Sequence, residues 1–199
     1  SEAGSAVIKH CIEGDKAIVT ATANLILNNH SSSGFLMSGS GGWVRAVNNV
    51  VAGNSGAGLA IWHHQAHVLH NTIVSNTGPA VQGQYGAVIT LTNNLIAHNR
   101  AGVFTGTGAT AAGIVGSYNL FWRNNANWFT GTHPILGDPR LGRDGFHVGP
   151  GSSAVDAAPG VGVAADVDGD RRPIGVAYDV GADERRLTVL LPLTLRGQG

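Results

Sequence analysis

Apolar residues run through this chain in short stretches closed by Asn, Gly or Ser, and one pattern keeps returning. Five times an asparagine is followed five residues later by another, with apolar residues between. The copies are NLILNN (Asn24–Asn29), NVVAGN (Asn49–Asn54), NTIVSN (Asn71–Asn76), NLIAHN (Asn94–Asn99) and NLFWRN (Asn119–Asn124). They start 25, 22, 23 and 25 residues apart, the self-similarity of a repeat architecture. Each repeat divides into three strand-length pieces. One unit reads LAIW (Leu59–Trp62), HVLH (His67–His70) and TIVS (Thr72–Ser75), and the next reads AVQG (Ala80–Gly83), VITLT (Val88–Thr92) and LIAH (Leu95–His98). Turn formers bound every piece. Three short strands and three bends per turn predict an all-β fold, a right-handed parallel β-helix (solenoid) of about five coils. Each coil would sit ~4.8 Å above the last. Ala6–Ile12 and Ala17–Thr22 read as strands of the first coil.

Strand side chains alternate between faces. If the first Asn of each copy points inward, so does the residue two further on, which stacks Ile26, Val51, Ile73, Ile96 and Phe121 in one core column. Asn24, Asn49, Asn71, Asn94 and Asn119 would then stand at a bend as a structural ladder, each amide bonding to the coils above and below. Asn also tolerates the left-handed backbone that a sharp bend needs. Solvated turn residues would give the same composition, but five in register before an apolar pair favour the ladder.

Composition narrows the choice. With 30 glycines and abundant Asn, Ser, Thr and Val, the chain disfavours helix, and the spaced leucines of leucine-rich repeats are absent. At 199 residues and 43% hydrophobic content it forms one domain with a core. Zero net charge provides no field to attract nucleic acid or anionic lipid. No apolar run reaches the ~18 residues of a membrane span. The single cysteine, Cys11, excludes an internal disulfide and reads as a small buried hydrophobe. Ser1 in first place fits a secreted product after signal removal, or a fragment.

The distribution of charge says more than its sum. Between Lys16 and Gly137 there is no Asp or Glu, and nine of the twelve acidic residues lie from Asp138 onward. The repeat fades after Asn125, giving coils over 1–125, an irregular C-terminal cap over 126–186 and a terminal strand or tail over 187–199. The cap segment carries GDPRL (Gly137–Leu141), GSSAVDAA (Gly151–Ala158), DVDGDRRP (Asp166–Pro173) and DVGADE (Asp179–Glu184). This order of elements resembles the closing segment of bacterial surface proteins of the choice-of-anchor Q type, with Ser153 where proline is usual and Ala158 where glycine is usual. The resemblance implies a secreted or cell-surface parallel β-helix and implies no activity.

Physically, such a segment suits a lid over the open end of a coil. Asp166, Asp168 and Asp170 alternate in a Gly-containing turn and, with Asp179, are candidate ligands for a structural calcium ion. The competing account pairs these carboxylates with Arg171, Arg172, Arg185 and Arg186 or with local amides. The tail LTVLLPLTL (Leu187–Leu195) is apolar on both faces, and Pro192 confines it to a sheet edge. Val189, Leu190, Leu191, Leu193 and Leu195 are the candidate self-association residues. They pack on the chain's own side or add as a strand to another molecule's first coil.

Catalysis on a β-helix of the pectate lyase or polygalacturonase kind needs carboxylates on the coil, as a pair roughly 5–9.5 Å apart or as calcium ligands. The coil body from Lys16 onward offers none. His63, His64, His67 and His70 crowd into one stretch; they read as exposed or turn histidines, with a transition-metal site on this coil as the alternative, against which His67 and His70 point to opposite faces of a regular strand. Trp43, Trp62, Trp122 and Trp128 read as a sugar-stacking face or as aromatics flanking turns. The sequence therefore predicts a non-catalytic extracellular structural module with no obligatory cofactor, associating with itself head-to-tail into filaments. A carbohydrate-active β-helix, lyase-like or glycan-binding with a polysaccharide partner, is the competing class.

Overall fold

The computed structural model describes residues 18–30, 33–38, 42–62, 65–106 and 113–186. Its strands wind in parallel turns. The first turn holds β1 (Ile18–Thr22), β2 (Leu25–Leu27) and β3 (Ser33–Ser38), and the second β4 (Trp43–Val47), β5 (Val50–Ala52) and β6 (Ala57–Trp62). The third holds β7 (Gln65–Leu69), β8 (Thr72–Val74) and β9 (Pro79–Gln84), and the fourth β10 (Val88–Thr92), β11 (Leu95–Ala97) and β12 (Ala101–Thr105). A fifth turn has β13 (Ile114–Ser117) and β14 (Leu120–Trp122). Stacking gives three parallel sheets: A (β1-β4-β7-β10-β13), B (β2-β5-β8-β11-β14) and C (β3-β6-β9-β12). The fold is thus the expected parallel β-helix, with four complete turns and a fifth whose third side carries no strand. That side is closed by irregular chain, tied where the Gly102 N–H donates to the Ala126 carbonyl at 2.8 Å. Coil-type pairing continues past Asn125 through the parallel bridges Ser117–Thr132 and Leu120–Ile135. Ala6–Ile12 and Leu187–Leu195 lie outside the described residues.

The core column runs Ile26, Val51, Ile73, Ile96 and Phe121 in direct register, every member buried. Its neighbours crowd it. At Gly58 a Cβ would come 2.6 Å from Ile73 Cγ2 and 2.7 Å from the Ala80 carbonyl oxygen, so only glycine fits there.

Both asparagines of each copy form ladders. Asn24, Asn49, Asn71, Asn94 and Asn119 link amide to amide at 2.9–3.0 Å. Asn29, Asn54, Asn76, Asn99 and Asn124 do the same at 2.8–3.1 Å. From the second member of each ladder onward, Oδ1 also accepts the backbone N–H of the previous ladder residue, as Asn94 does from Asn71 at 2.9 Å. The left-handed residue at each bend is the one before the ladder position: Ala23, Asn48, His70, Asn93 and Tyr118 at the A–B corner, with φ between 50° and 57°. The ladder asparagine thus re-enters the sheet, and its amide replaces the ladder bonds that the corner interrupts.

Sheet B is apolar on both faces. Its outward residues Val74, Leu95, Ala97 and Leu120 form a second core with Val148, Ala154, Ala158 and Val180 of the closing segment. The segment thus departs from the expected lid. Phe129 packs on the inner core at the end of the coil, while 138–184 runs back along the flank as a belt. It reaches Asn93 through Gly181 N–H (2.9 Å), Thr72 Oγ1 through Ala182 N–H (2.9 Å), and Asn48, whose amide donates to the Ala165 carbonyl. The physical reason is apolar burial: the outward side chains of sheet B need a cover, and Val148, Ala154, Ala158 and Val180 supply it.

Candidate functional site: a histidine–carboxylate cluster in the belt

The belt has few strand pairings, so its amides need other acceptors, and the acidic side chains supply them. Asp156 takes the Ala177 N–H (2.9 Å), Asp179 those of Asp156 (2.7 Å) and Arg185 (2.8 Å), and Asp183 that of Val148 (2.7 Å). Glu184 accepts from the Ile174 N–H at 3.2 Å and from Arg172 Nη1 at 2.8 Å, both of these charged side chains being fully buried.

The four candidate calcium ligands face different partners. Asp166 closes an Asx-type turn, accepting the amides of Asp168 (2.9 Å) and Asp170 (2.7 Å) on one oxygen and that of Glu184 (2.9 Å) on the other. Asp170 pairs with Arg186 at the surface, Asp179 holds backbone amides, and Asp168 turns to His147.

The coil histidines also diverge. His67 stands on the outer face of sheet A, edge-on to Trp43 with ring centroids 4.9 Å apart. His70 is wholly buried under the belt, 3.0 Å through Nε2 from the Asn93 amide. His63 and His64 lie outside the described residues. The tryptophans spread over all three sides: Trp43 on sheet A, Trp62 against Tyr85 at the end of a sheet C strand, Trp122 on sheet B beneath Arg123, and Trp128 over Phe104. No single sugar-stacking face results.

His70 carries a testable consequence. Burial, reinforced by the facing Arg172 charge and only partly offset by the carbonyls of Asp179 and Gly181, lowers its pKa from 6.5 to about 3. The folded state therefore favours neutral His70. Its contribution is complete above 6.5 and is lost as pH falls from there toward 3, at about 1.4 kcal/mol per pH unit. Asp179 and Glu184, raised chiefly by burial, act in the opposite direction at the acid end. The urea midpoint should fall between pH 6.5 and 4.5. In His70→Asn, which keeps a residue suited to the left-handed φ of 50°, that slope should flatten.

What the fold does gather is His147, Asp168 and Asp183, whose ligand atoms all lie within 4.8 Å of one another. Three loops supply them. The 144–147 turn is fixed by Asp144 Oδ1, which accepts the N–H groups of Phe146 (3.0 Å) and His147 (3.1 Å). Asp144 Oδ2 meets His147 Nδ1 at 2.6 Å, and Nε2 faces Asp168 Oδ2 at 2.8 Å. Burial alone would lower the His147 pKa, but the bonds to Asp144 and Asp168 and the nearby Asp183 charge hold it above its ordinary value. Burial raises that of Asp183 against the Val148 amide and His147. The cluster opens into a groove of about 490 Å³ lined by Pro150, Asp170, Arg185 and Arg186 among others. Sequence reading did not single out His147. Its partners are 21 and 36 residues away, and no local spacing signals their meeting.

Fold and belt together define a parallel β-helix protein whose described coil residues include no carboxylate and whose acidic groups fasten a flanking belt. The chain belongs to the NosD family: the family model described as "Periplasmic copper-binding protein (NosD)" matches residues 9–133, more than half of the 199. No curated protein and no solved structure matches the chain. Among the described residues, the group able to hold a metal through three such side chains lies beyond the matched stretch. One imidazole nitrogen and two carboxylate oxygens are donors that Cu²⁺ and its first-row neighbours accept, so these residues fit such an ion.

Proposed function

We propose that the chain is a non-catalytic β-helix scaffold working outside the cytoplasm, in the periplasm or at the cell surface. The observation that carries this reading is the use of its acids. All nine acidic residues from Asp138 onward have a bonded partner in the belt. The described coil residues include no Asp or Glu. Asp168 and Asp183 approach each other, but one bonds His147 and the other a buried amide. No Trp, Tyr or Phe lines their groove to seat a sugar. The family's description supports a periplasmic setting, and the four closing elements, with their resemblance to choice-of-anchor Q surface proteins, support export.

The scaffold assembles head-to-tail. Among the described residues β1 and β2 stand at the first-turn edges of sheets A and B, and sheet edges are templates for strand addition. The apolar segment 187–195 is a suitable partner by composition, and a contact between two different surfaces propagates rather than closes. Electron microscopy and sedimentation of the purified chain should show filaments, and deletion of 187–199 should leave isolated particles. Incubation with pectic and other acidic polysaccharides should release neither reducing ends nor unsaturated products. Assembly that survives the deletion removes the strand mechanism, and cleavage of any polysaccharide removes the non-catalytic reading.

A further inference from the structure

We propose that His147, Asp168 and Asp183 form a binding site for a divalent first-row transition-metal ion, with Asp144 positioning the imidazole from behind. Three observations converge. First, Asp144 accepts two backbone N–H groups on one oxygen, so its other oxygen, 2.6 Å from Nδ1, is a fixed acceptor. With a metal in place of the Nε2 proton that bridges to Asp168, the remaining proton would stay on Nδ1 against Asp144 and the Nε2 lone pair would be directed at the ion. That is the carboxylate–histidine arrangement which orients a ligating imidazole and strengthens it as a donor.

Second, Nε2 points at Asp168 and shares its surroundings with the 7%-exposed Asp183. Three electron-pair donors thus face one point. A proton on Nε2 satisfies a single contact and leaves two anions against one cation. A divalent ion meets all three donors and balances the charge of two carboxylates, one of them held out of water.

Third, the ligands are pre-set by bonds outside the cluster. Asp168 is held at its N–H by the Asp166 turn (2.9 Å) and Asp183 at its carboxylate by the Val148 N–H (2.7 Å). The half-exposed Asp168 leaves the groove side open for water to complete the coordination. The neighbouring cation Arg186 is engaged by Asp170 and leaves the site clear.

The mixed nitrogen–oxygen set separates this site from calcium, which takes oxygen donors alone. It ranks Cu²⁺ above Zn²⁺, Ni²⁺ and Mn²⁺ in affinity. The ion would join loops that lie apart in sequence, so occupancy should raise the melting temperature of the belt.

The test is titration of the full chain, freed of metal with chelator, with Cu²⁺, Zn²⁺ and Ca²⁺ separately. It is read by calorimetry, by thermal melting and, for Cu²⁺, by electron paramagnetic resonance. One equivalent of Cu²⁺ should bind with the signature of one coordinated nitrogen, raise the melting temperature and weaken as pH falls and protons compete for Nε2. His147→Gln and Asp168→Asn should abolish the nitrogen signature and the melting shift respectively. Asp144→Asn should keep the signature and weaken binding roughly 10–100-fold, as loss of an outer carboxylate does. His147 and Asp168 are part-exposed, and each variant's unliganded melt checks that it folds. Failure to bind Cu²⁺ would reduce the cluster to a protonated histidine bridge and overturn the site. An unchanged spectrum in His147→Gln, or Ca²⁺ binding ahead of Cu²⁺, would overturn it equally.

Discussion

Asn94→Ala should cost this protein roughly 3–6 kcal/mol, because it strands buried polar groups at 1–3 kcal/mol each and leaves a small cavity besides. The side-chain amide of Asn94 is an inner member of the ladder, with a partner on each side, and is inaccessible to water. Its oxygen accepts both the backbone N–H and the side-chain amide of Asn71, at 2.9 and 3.0 Å. Its nitrogen donates to the Val68 carbonyl at 2.8 Å and to Asn119 Oδ1 at 2.9 Å. The side chain of Asn71 keeps the Ala46 and Leu69 carbonyls as acceptors, and Asn119 Oδ1 keeps the N–H of residue 94. The Asn71 backbone N–H has no such second choice. Asn94→Asp would not rescue it cleanly, since a carboxylate accepts from Asn71 but cannot donate to Val68 or Asn119 and is itself a buried charge. Asn24→Ala, at the exposed end of the same ladder, should cost about 1 kcal/mol, the net value of an ordinary hydrogen bond. Urea unfolding of the two variants measures the difference. Equal losses would mean that the amide column does not hold the turns together. Against a typical total stability of about 5–15 kcal/mol, the inner substitution takes a large share, so the ranking is read at reduced temperature.

The ladder was legible because its asparagines recur before an apolar pair, and the five-residue interval is the length of one sheet B strand plus its two corners. The same interval contains the second ladder, Asn29 to Asn124, because the B–C corner repeats the arrangement of the A–B corner. The left-handed corner positions were not legible. Ala23, Asn48, His70, Asn93 and Tyr118 share a backbone conformation and no side-chain type, because the fold imposes the conformation from both sides. Strand limits shifted by about two residues for the same reason: β6 begins at Ala57 and β7 at Gln65, in register with neighbours rather than where the local apolar run starts.

The flank position of the belt had a sequence signal that went unused. LIL, VVA, TIV, LIA and LFW, the five strands of sheet B, are apolar on both faces, and a sheet with two apolar faces must be covered twice. The acids of the closing segment were read as calcium ligands because they alternate. Most of them serve as acceptors for amides that the irregular belt leaves without a strand partner. His147 stayed silent because its partners come from loops that only tertiary packing unites.

Arg172→Leu should detach the belt while leaving the coil wound. The guanidinium is 3% exposed. It donates through Nη1 to Glu184 (2.8 Å) and the Asp179 carbonyl (3.1 Å), and through Nη2 to the Gly181 carbonyl (2.7 Å). Burial lowers its pKa against the pull of Glu184, Asp166, Asp179 and Asp183, so one cation is the common counter-charge for four carboxylates. Removing one partner of a buried pair costs about 3–5 kcal/mol because the other charge is left without compensation. That loss falls on the belt alone, since every hydrogen bond that Arg172 donates, except the long one to Asn48, is within it. Hydrogen exchange should therefore accelerate across 138–184 while the N–H groups of Asn49, Asn71 and Asn94, bonded within the ladder, stay protected. Arg172→Leu with Glu184→Leu should recover part of the loss, because the stranded carboxylate goes with its partner. Simultaneous loss of protection in belt and ladder would mean that sheet B cannot stand without its cover, and the turns and the belt would then be one cooperative unit.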